Sequence, residues 1–271
     1  MKYVFSGPLA PLIEQYLDLR GSIGLQQRDA AYTLAEFDRY LVMNYPVVQR
    51  VTRQMIVEFL REMSSRLANN TRRHRLSQLR QFCRFLFQLD GECYIPTSDL
   101  SPSEQQTIPY LYTVAEVVAI MQLAKRLKPV YPLRAESCET LIGLLWVTGL
   151  RIGEALRLNI EDVDLKQQLL QIKAAKFHKS RLVPLSTSAA QALSSYAELR
   201  IRKRSHTHSQ APFSVGVAGG RWKYETVRGT FKCLVQQLGL KNKNGREPRL
   251  HDLRQNAESR KMPSDSLKAS V

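Results

Sequence analysis

The stretch DGECYIPTSDLSPSEQQTIPY, residues 90–110, constrains this chain more than any other. Pro96, Pro102 and Pro109 punctuate it, and no apolar period runs through it. Each proline removes a backbone donor and pushes its predecessor towards extended backbone, so no continuous helix crosses the segment. An extended linker over 91–110 is expected. With 271 residues in all, the parts on either side are each long enough to bury a core.

On the N-terminal side the period is helical throughout. Ala30, Leu34, Phe37 and Leu41 fall three or four apart; so do Ile56, Phe59, Met63 and Leu67, and again Leu76, Leu79, Phe82 and Phe85. Thr52 and Asn70 stand where N-caps are wanted, and a short helix is expected near Leu9 to Leu19. Residues 1–90 therefore read as a helical bundle. The C-terminal side, 111–254, is mixed. Thr113 and Glu116 form a capping box that opens a helix towards Leu127. A buried helix over roughly 136–148 stops at Gly149, and a short one starts at Arg151. LLQIKAAK (169–176) and SRLVPL (180–185) read as a hairpin. Ser186 caps a helix reaching Arg204, and a last helix runs from about Tyr224 to Leu238. The expected class is mainly α with a small antiparallel sheet, α+β.

Forty Lys and Arg against 24 Asp and Glu leave a net charge of +16, which calls for a polyanionic partner. The charge is clustered. Residues 50–84 hold nine arginines and only Glu58 and Glu62 as acids. Arg73, Arg80 and Arg84 share one helix face, with Arg72 near its start, while the apolar residues take another. A face built only for solubility mixes signs. One carrying arginines alone suits phosphates, which the planar guanidinium grips in a fork. LRIRKR (199–204) and KNKNGREPR (241–249) add basic patches; DNA and RNA both fit such charge. Cys83, Cys93, Cys138 and Cys233 form no C-x-x-C pair, which argues against a zinc ribbon or a disulfide framework and fits a reducing cytoplasm. His206 and His208 lack acidic or cysteine neighbours, so no metal is expected. The most apolar run, LIGLLWVTGL (141–150), is ten residues long and too short for a bilayer, so no membrane partner is expected.

Three short motifs carry the chemistry. TGLRIGEALRL (148–158) puts Arg151 after a glycine turn with Glu154 three residues on: a structural ion pair, or an arginine held to grip an anion. AAKFHKSRLVPL (174–185) sets Lys176, Lys179 and Arg181 around the hairpin turn. HDLR places His251 and Arg254 on one helix face. Two guanidinium groups that hold non-bridging oxygens, with His and Lys to move protons, suit phosphoryl transfer without metal or other cofactor.

In this order, TGLRIGEAL, K-x-x-K-x-R-L-V-P-L and HDLR resemble the tyrosine recombinase family, the phage integrases and Xer-like site-specific recombinases, over nearly the whole chain. The resemblance implies a helical core-binding domain (1–90) and a catalytic domain (111–254) that clamp double-stranded DNA and break and rejoin strands through a 3′-phosphotyrosine. By it, Arg151 and Arg254 clamp the phosphate, Lys176 acts on the leaving 5′-hydroxyl, and His251 is the general acid/base. Glu154 stands behind the first arginine. Arg72, Arg73, Arg80, Arg84, Lys179 and Arg181 are the expected DNA contacts, with a homo-oligomer or an intact recombinase as partner. KFHK departs from the family's glycine-containing turn.

A larger departure follows Arg254. The family continues with a second His or Trp and then the nucleophilic tyrosine. The 17 residues after Arg254 contain no His, Trp or Tyr. Residues 255–271 are therefore expected to be an aberrant or disordered tail, as from a frameshift, and the chain to be inactive alone. A tyrosine donated in trans, or a regulatory DNA-binding role without phosphoryl transfer, are the alternatives.

Overall fold

A computed structural model of the chain describes residues 3–103, 108–128, 132–173, 180–203, 208–216 and 219–255. It divides into two compact units, Met1–Thr107 and Ile108–Val271, each with its own apolar core.

The first unit holds α1 (Ala10–Ser22), α2 (Arg28–Asn44), α3 (Arg53–Ser64) and α4 (Asn69–Asp90). The residues picked out by the helical period make its core: Leu34, Phe37, Leu41, Ile56, Phe59, Met63, Leu76, Leu79 and Phe82 are all buried. Thr52 caps α3, its hydroxyl accepting from the Met55 N–H at 3.4 Å. Asn70 does not cap. It lies inside α4, which opens after the extended Ala68, and Asn69 instead accepts from Arg72 Nη1 at 3.4 Å. Gly91, at φ +70°, ends α4 in a conformation that costs a larger residue strain. Glu58 joins α2 and α3: it accepts from the hydroxyls of Tyr40 (3.1 Å) and Tyr45 (2.6 Å) and from Gln54 (3.0 Å).

Beyond α4 the chain stays on this unit. Tyr94 N–H donates to Val51 O at 2.9 Å, Cys93 is buried in the core, and Ser98–Leu100 make a 3₁₀ turn.

The second unit holds α5 (Val114–Lys125), α6 (Arg134–Thr148), α7 (Ile152–Arg157), α8 (Thr187–Arg202) and α9 (Tyr224–Gln237). Its sheet is antiparallel, in the order β1 (Val163–Asp164), β2 (Leu169–Ile172), β3 (Arg181–Pro184), with Leu170 opposite Val183 and Ile172 opposite Arg181. The class is thus mainly α with a small antiparallel sheet. β1, with only two residues, has no period to betray it. Both halves of the Thr113–Glu116 capping box form, and the Ser186 hydroxyl accepts from Ala189 N–H to open α8. The core runs from Leu141 and Leu145 through Leu156, Leu170 and Ile172 to Phe231, Leu234, Leu250 and Leu253. Among the described residues, no helix is long and apolar enough to cross a membrane.

Candidate phosphate-binding site

α6 ends at Gly149, whose φ of +66° turns the chain, and buried Leu150 anchors the corner. Arg151 follows as the N-cap of α7 in extended conformation. At six residues, α7 is too short to persist by its own hydrogen bonds and is held at both ends. At its far end, Arg221 donates Nη1 to Leu156 O at 2.5 Å and Nη2 to Asn159 Oδ1 at 2.6 Å. At its near end stands Glu154. Its Oε2 accepts from the Arg151 N–H (2.9 Å) and from Arg181 Nη2 (2.9 Å), and its Oε1 from Nη1 of Arg151 and of Arg181, both at 3.1 Å.

Burial separates these groups. The Glu154 side chain is 2% exposed, against 45% for Arg151 and 41% for Arg181. Desolvation pulls the carboxyl's pKa up, but the donors from Arg181 and Arg151 outweigh it and hold Glu154 below the usual carboxylate range. An ionised, buried carboxylate therefore backs two open guanidinium groups. Arg151 spends only Nη1 of its guanidinium on this contact, leaving most of its fork for an anion.

The β2–β3 hairpin is tied on both strands at its turn end. Arg181 holds one to Glu154; next to the other, Lys173 Nζ meets Glu161 Oε1 at 2.6 Å and Asp162 Oδ1 at 2.7 Å. Lys176 and Lys179, expected at the turn, lie outside the described residues, as do 256–271 of the expected tail.

His251 and Arg254 stand on a turn whose Leu250 and Leu253 enter the core. The turn is shaped by buried Asp252, which accepts from the Arg249 N–H (2.8 Å) and Arg249 Nη2 (2.9 Å). His251 is exposed and Arg254 half-buried, and the Arg254 N–H donates to His251 O at 3.1 Å. Tyr112 donates its hydroxyl to Arg249 O at 3.2 Å. Burial, and then the charge of Asp252, push its phenol far above the ordinary tyrosine range. Such a hydroxyl is a poor nucleophile. Tyr224 opens α9 and is 49% exposed.

The arginine-rich face of α4 is less uniform than its sequence. Arg84 is exposed and Arg73 half-buried. Arg80 turns to its own unit, donating Nε to Pro96 O (2.6 Å) and Nη2 to Thr97 O (2.9 Å). Arg75 is buried against Glu36 and stacks over Tyr32. Arg50 pairs with Glu92, and Arg53 approaches Asp99 at 3.9 Å. Those carboxylates come from outside 50–84, so counting acids within the run overstated its bare charge.

Sequence reasoning placed Arg151, Glu154, Arg181, His251 and Arg254 on three elements. The structure brings the first three into one hydrogen-bonded group and puts the other two on a turn of the same core. It missed the supporting Arg221 and the Arg249–Asp252 brace. An R-x-x-D spacing ahead of the turn is the one signal that could have found the second.

The sequence profile of the phage integrase family matches residues 112–262. The chain is 33% identical to a Sinorhizobium fredii protein, y4rE, whose name assigns it to the integrase/recombinases; 92% of this chain and 79% of that protein are covered. It is 29% identical to the tyrosine recombinase XerC of Myxococcus xanthus, over 87% of this chain and 80% of the relative. In fold it is similar to a lambda integrase fragment, solved as a dimer bound to a core site: TM-score 0.71, 17% identity, 96% of this chain and 92% of the other covered.

Proposed function

Because this chain belongs to the phage integrase family, the tyrosine recombinases, we propose that it binds duplex DNA and grips a backbone phosphate between Arg151 and Arg254. The observation that carries this reading is the buried, ionised Glu154 holding Arg151 at the start of α7 with most of its guanidinium open. A charge positioned in advance stabilises a phosphoryl transition state without reorganising. Arg151 and Arg254 hold the non-bridging oxygens, His251 moves a proton at the attacked phosphate, and Lys176 protonates the departing 5′-oxygen. Arg72, Arg73 and Arg84 contact flanking phosphates from the first unit, and Lys179 from the second. The protein works in the cytoplasm, where its DNA is, as part of an oligomer on that DNA.

Tyr112 does not supply the attacking oxygen, because it is buried with its hydroxyl engaged. The test is affinity for a duplex selected by the protein from randomised DNA. Arg151→Gln and Arg254→Gln should each weaken binding about tenfold, the worth of one charge-assisted hydrogen bond. Affinity unchanged in both would reject the phosphate clamp.

A further inference from the structure

We infer that Arg181 is a positioning residue: acting through Glu154, it sets where Arg151 presents its guanidinium and ties the turn end of the β2–β3 hairpin to that arginine. This deepens the proposed role of Arg151 as a phosphate ligand and rests on it. The sequence places Arg181 beside Lys179 as a direct DNA contact; the geometry gives it other work.

The four acceptor positions of Glu154 are all taken. Oε1 receives Nη1 of Arg151 and Nη1 of Arg181, and Oε2 receives the Arg151 N–H and Nη2 of Arg181. A carboxylate offers about four lone-pair sites, so neither arginine is redundant. Without Arg181 the buried carboxylate keeps half its donors. It then either takes up a proton or shifts towards the remaining donors, and Arg151 loses its fixed support in both cases. Lysine cannot replace Arg181, because a point charge does not match two oxygens at once. The charged groups facing Glu154 are Arg151 from its own helix and Arg181 from β3; α6 and α9 pack on α7 through the shared apolar core.

Arg181 also lies opposite Ile172, the neighbour of Lys173. One side of the hairpin is therefore tied to Glu161 and Asp162, and the other to the carboxylate that aims Arg151. A shift of the hairpin moves Glu154, and with it the arginine.

The experiment is phosphate-ethylation interference on a duplex that the full chain has selected from randomised DNA. Ethylation neutralises one phosphate at a time, and the phosphate whose interference disappears in Arg151→Gln is that arginine's. Arg181→Gln should weaken interference at the same phosphate at least about fivefold, the scale of an ordinary hydrogen bond, and leave phosphates bound by the first unit unchanged. The affinity of Arg181→Gln relative to wild type should also fall as pH is lowered, because Glu154 protonates more readily once half its donors are gone; in a Glu154→Gln background that pH dependence of the ratio should vanish. If Arg181→Gln does not fold, Arg181→Lys is read on the same footprint, where weakened interference supports the inference and wild-type interference overturns it. Interference lost at a new phosphate in Arg181→Gln, with the Arg151 phosphate untouched, would make Arg181 a direct contact and overturn the inference alone. No phosphate lost in Arg151→Gln would overturn the clamp, and the inference with it.

Discussion

Arg80 and Arg84 lie one helical turn apart on α4, and neutralising each should have opposite consequences. Arg80 gives two nitrogens to the Pro96 and Thr97 carbonyls at 2.6 and 2.9 Å. Hydrogen bonds from a charged donor contribute about 1.5–3 kcal/mol each, and partial exposure lets water recover part of that, which leaves the pair near ~2 kcal/mol. In a unit of roughly 100 residues this lowers Tm by about 10 °C. Arg84 is exposed, and its loss should cost under about 0.5 kcal/mol. On DNA the order reverses. Arg84→Gln should flatten the slope of log K against log salt by about 0.9, one phosphate contact, whereas Arg80→Gln should leave the slope nearly unchanged. The assay pairs salt-dependent binding with thermal unfolding by far-UV circular dichroism. Trp146 and Trp222, the chain's two tryptophans, lie in the second unit, so their fluorescence reports that unit separately. Arg80→Gln with an unchanged Tm and a slope flattened by about 0.9 would refute the reasoning.

The other predictions follow from single contacts. Glu58 sits below the usual carboxylate range because Tyr45, Gln54 and Tyr40 donate to it. Its stabilisation is therefore present above about pH 4.3 and lost as pH falls through its lower folded value; Glu58→Gln should flatten that acid limb of the first unit's unfolding, and an unaltered limb would count against the contact. Asp252→Ala strands the Arg249 N–H and loosens the turn carrying His251 and Arg254. It should cost about 1–3 kcal/mol by denaturant unfolding and weaken DNA binding as Arg254→Gln does. Phe82→Ala, in a site with no solvent exposure, should destabilise the first unit by about 3–5 kcal/mol while tryptophan fluorescence of the second stays unmoved.

Much of this was legible in the sequence because it depends on short-range rules. The 3.6-residue period gave Leu34, Phe37, Leu79 and Phe82 as core, and Thr113 with Glu116 announced a helix start that needs only its own four residues. The motif arginines stood out through their neighbours Gly149 and Glu154. What stayed hidden depends on chain reversal. Arg181 is 27 residues from Glu154 and Arg221 is 65 from Leu156, and no local pattern encodes either meeting. The helix face of Arg80 was visible in the sequence, and its bonds to the returning Pro96 and Thr97 carbonyls were not. Asn70 does not cap because α4 begins at Asn69, with Ala68 in the extended N-cap position.

The central claim, that Arg151 and Arg254 together grip one DNA phosphate, is tested most directly by phosphate-ethylation interference on a duplex that the purified chain has selected from randomised DNA. Arg151→Gln and Arg254→Gln should each abolish interference at the same phosphate and leave the others unchanged. Interference lost at two different phosphates, or at none, would contradict it.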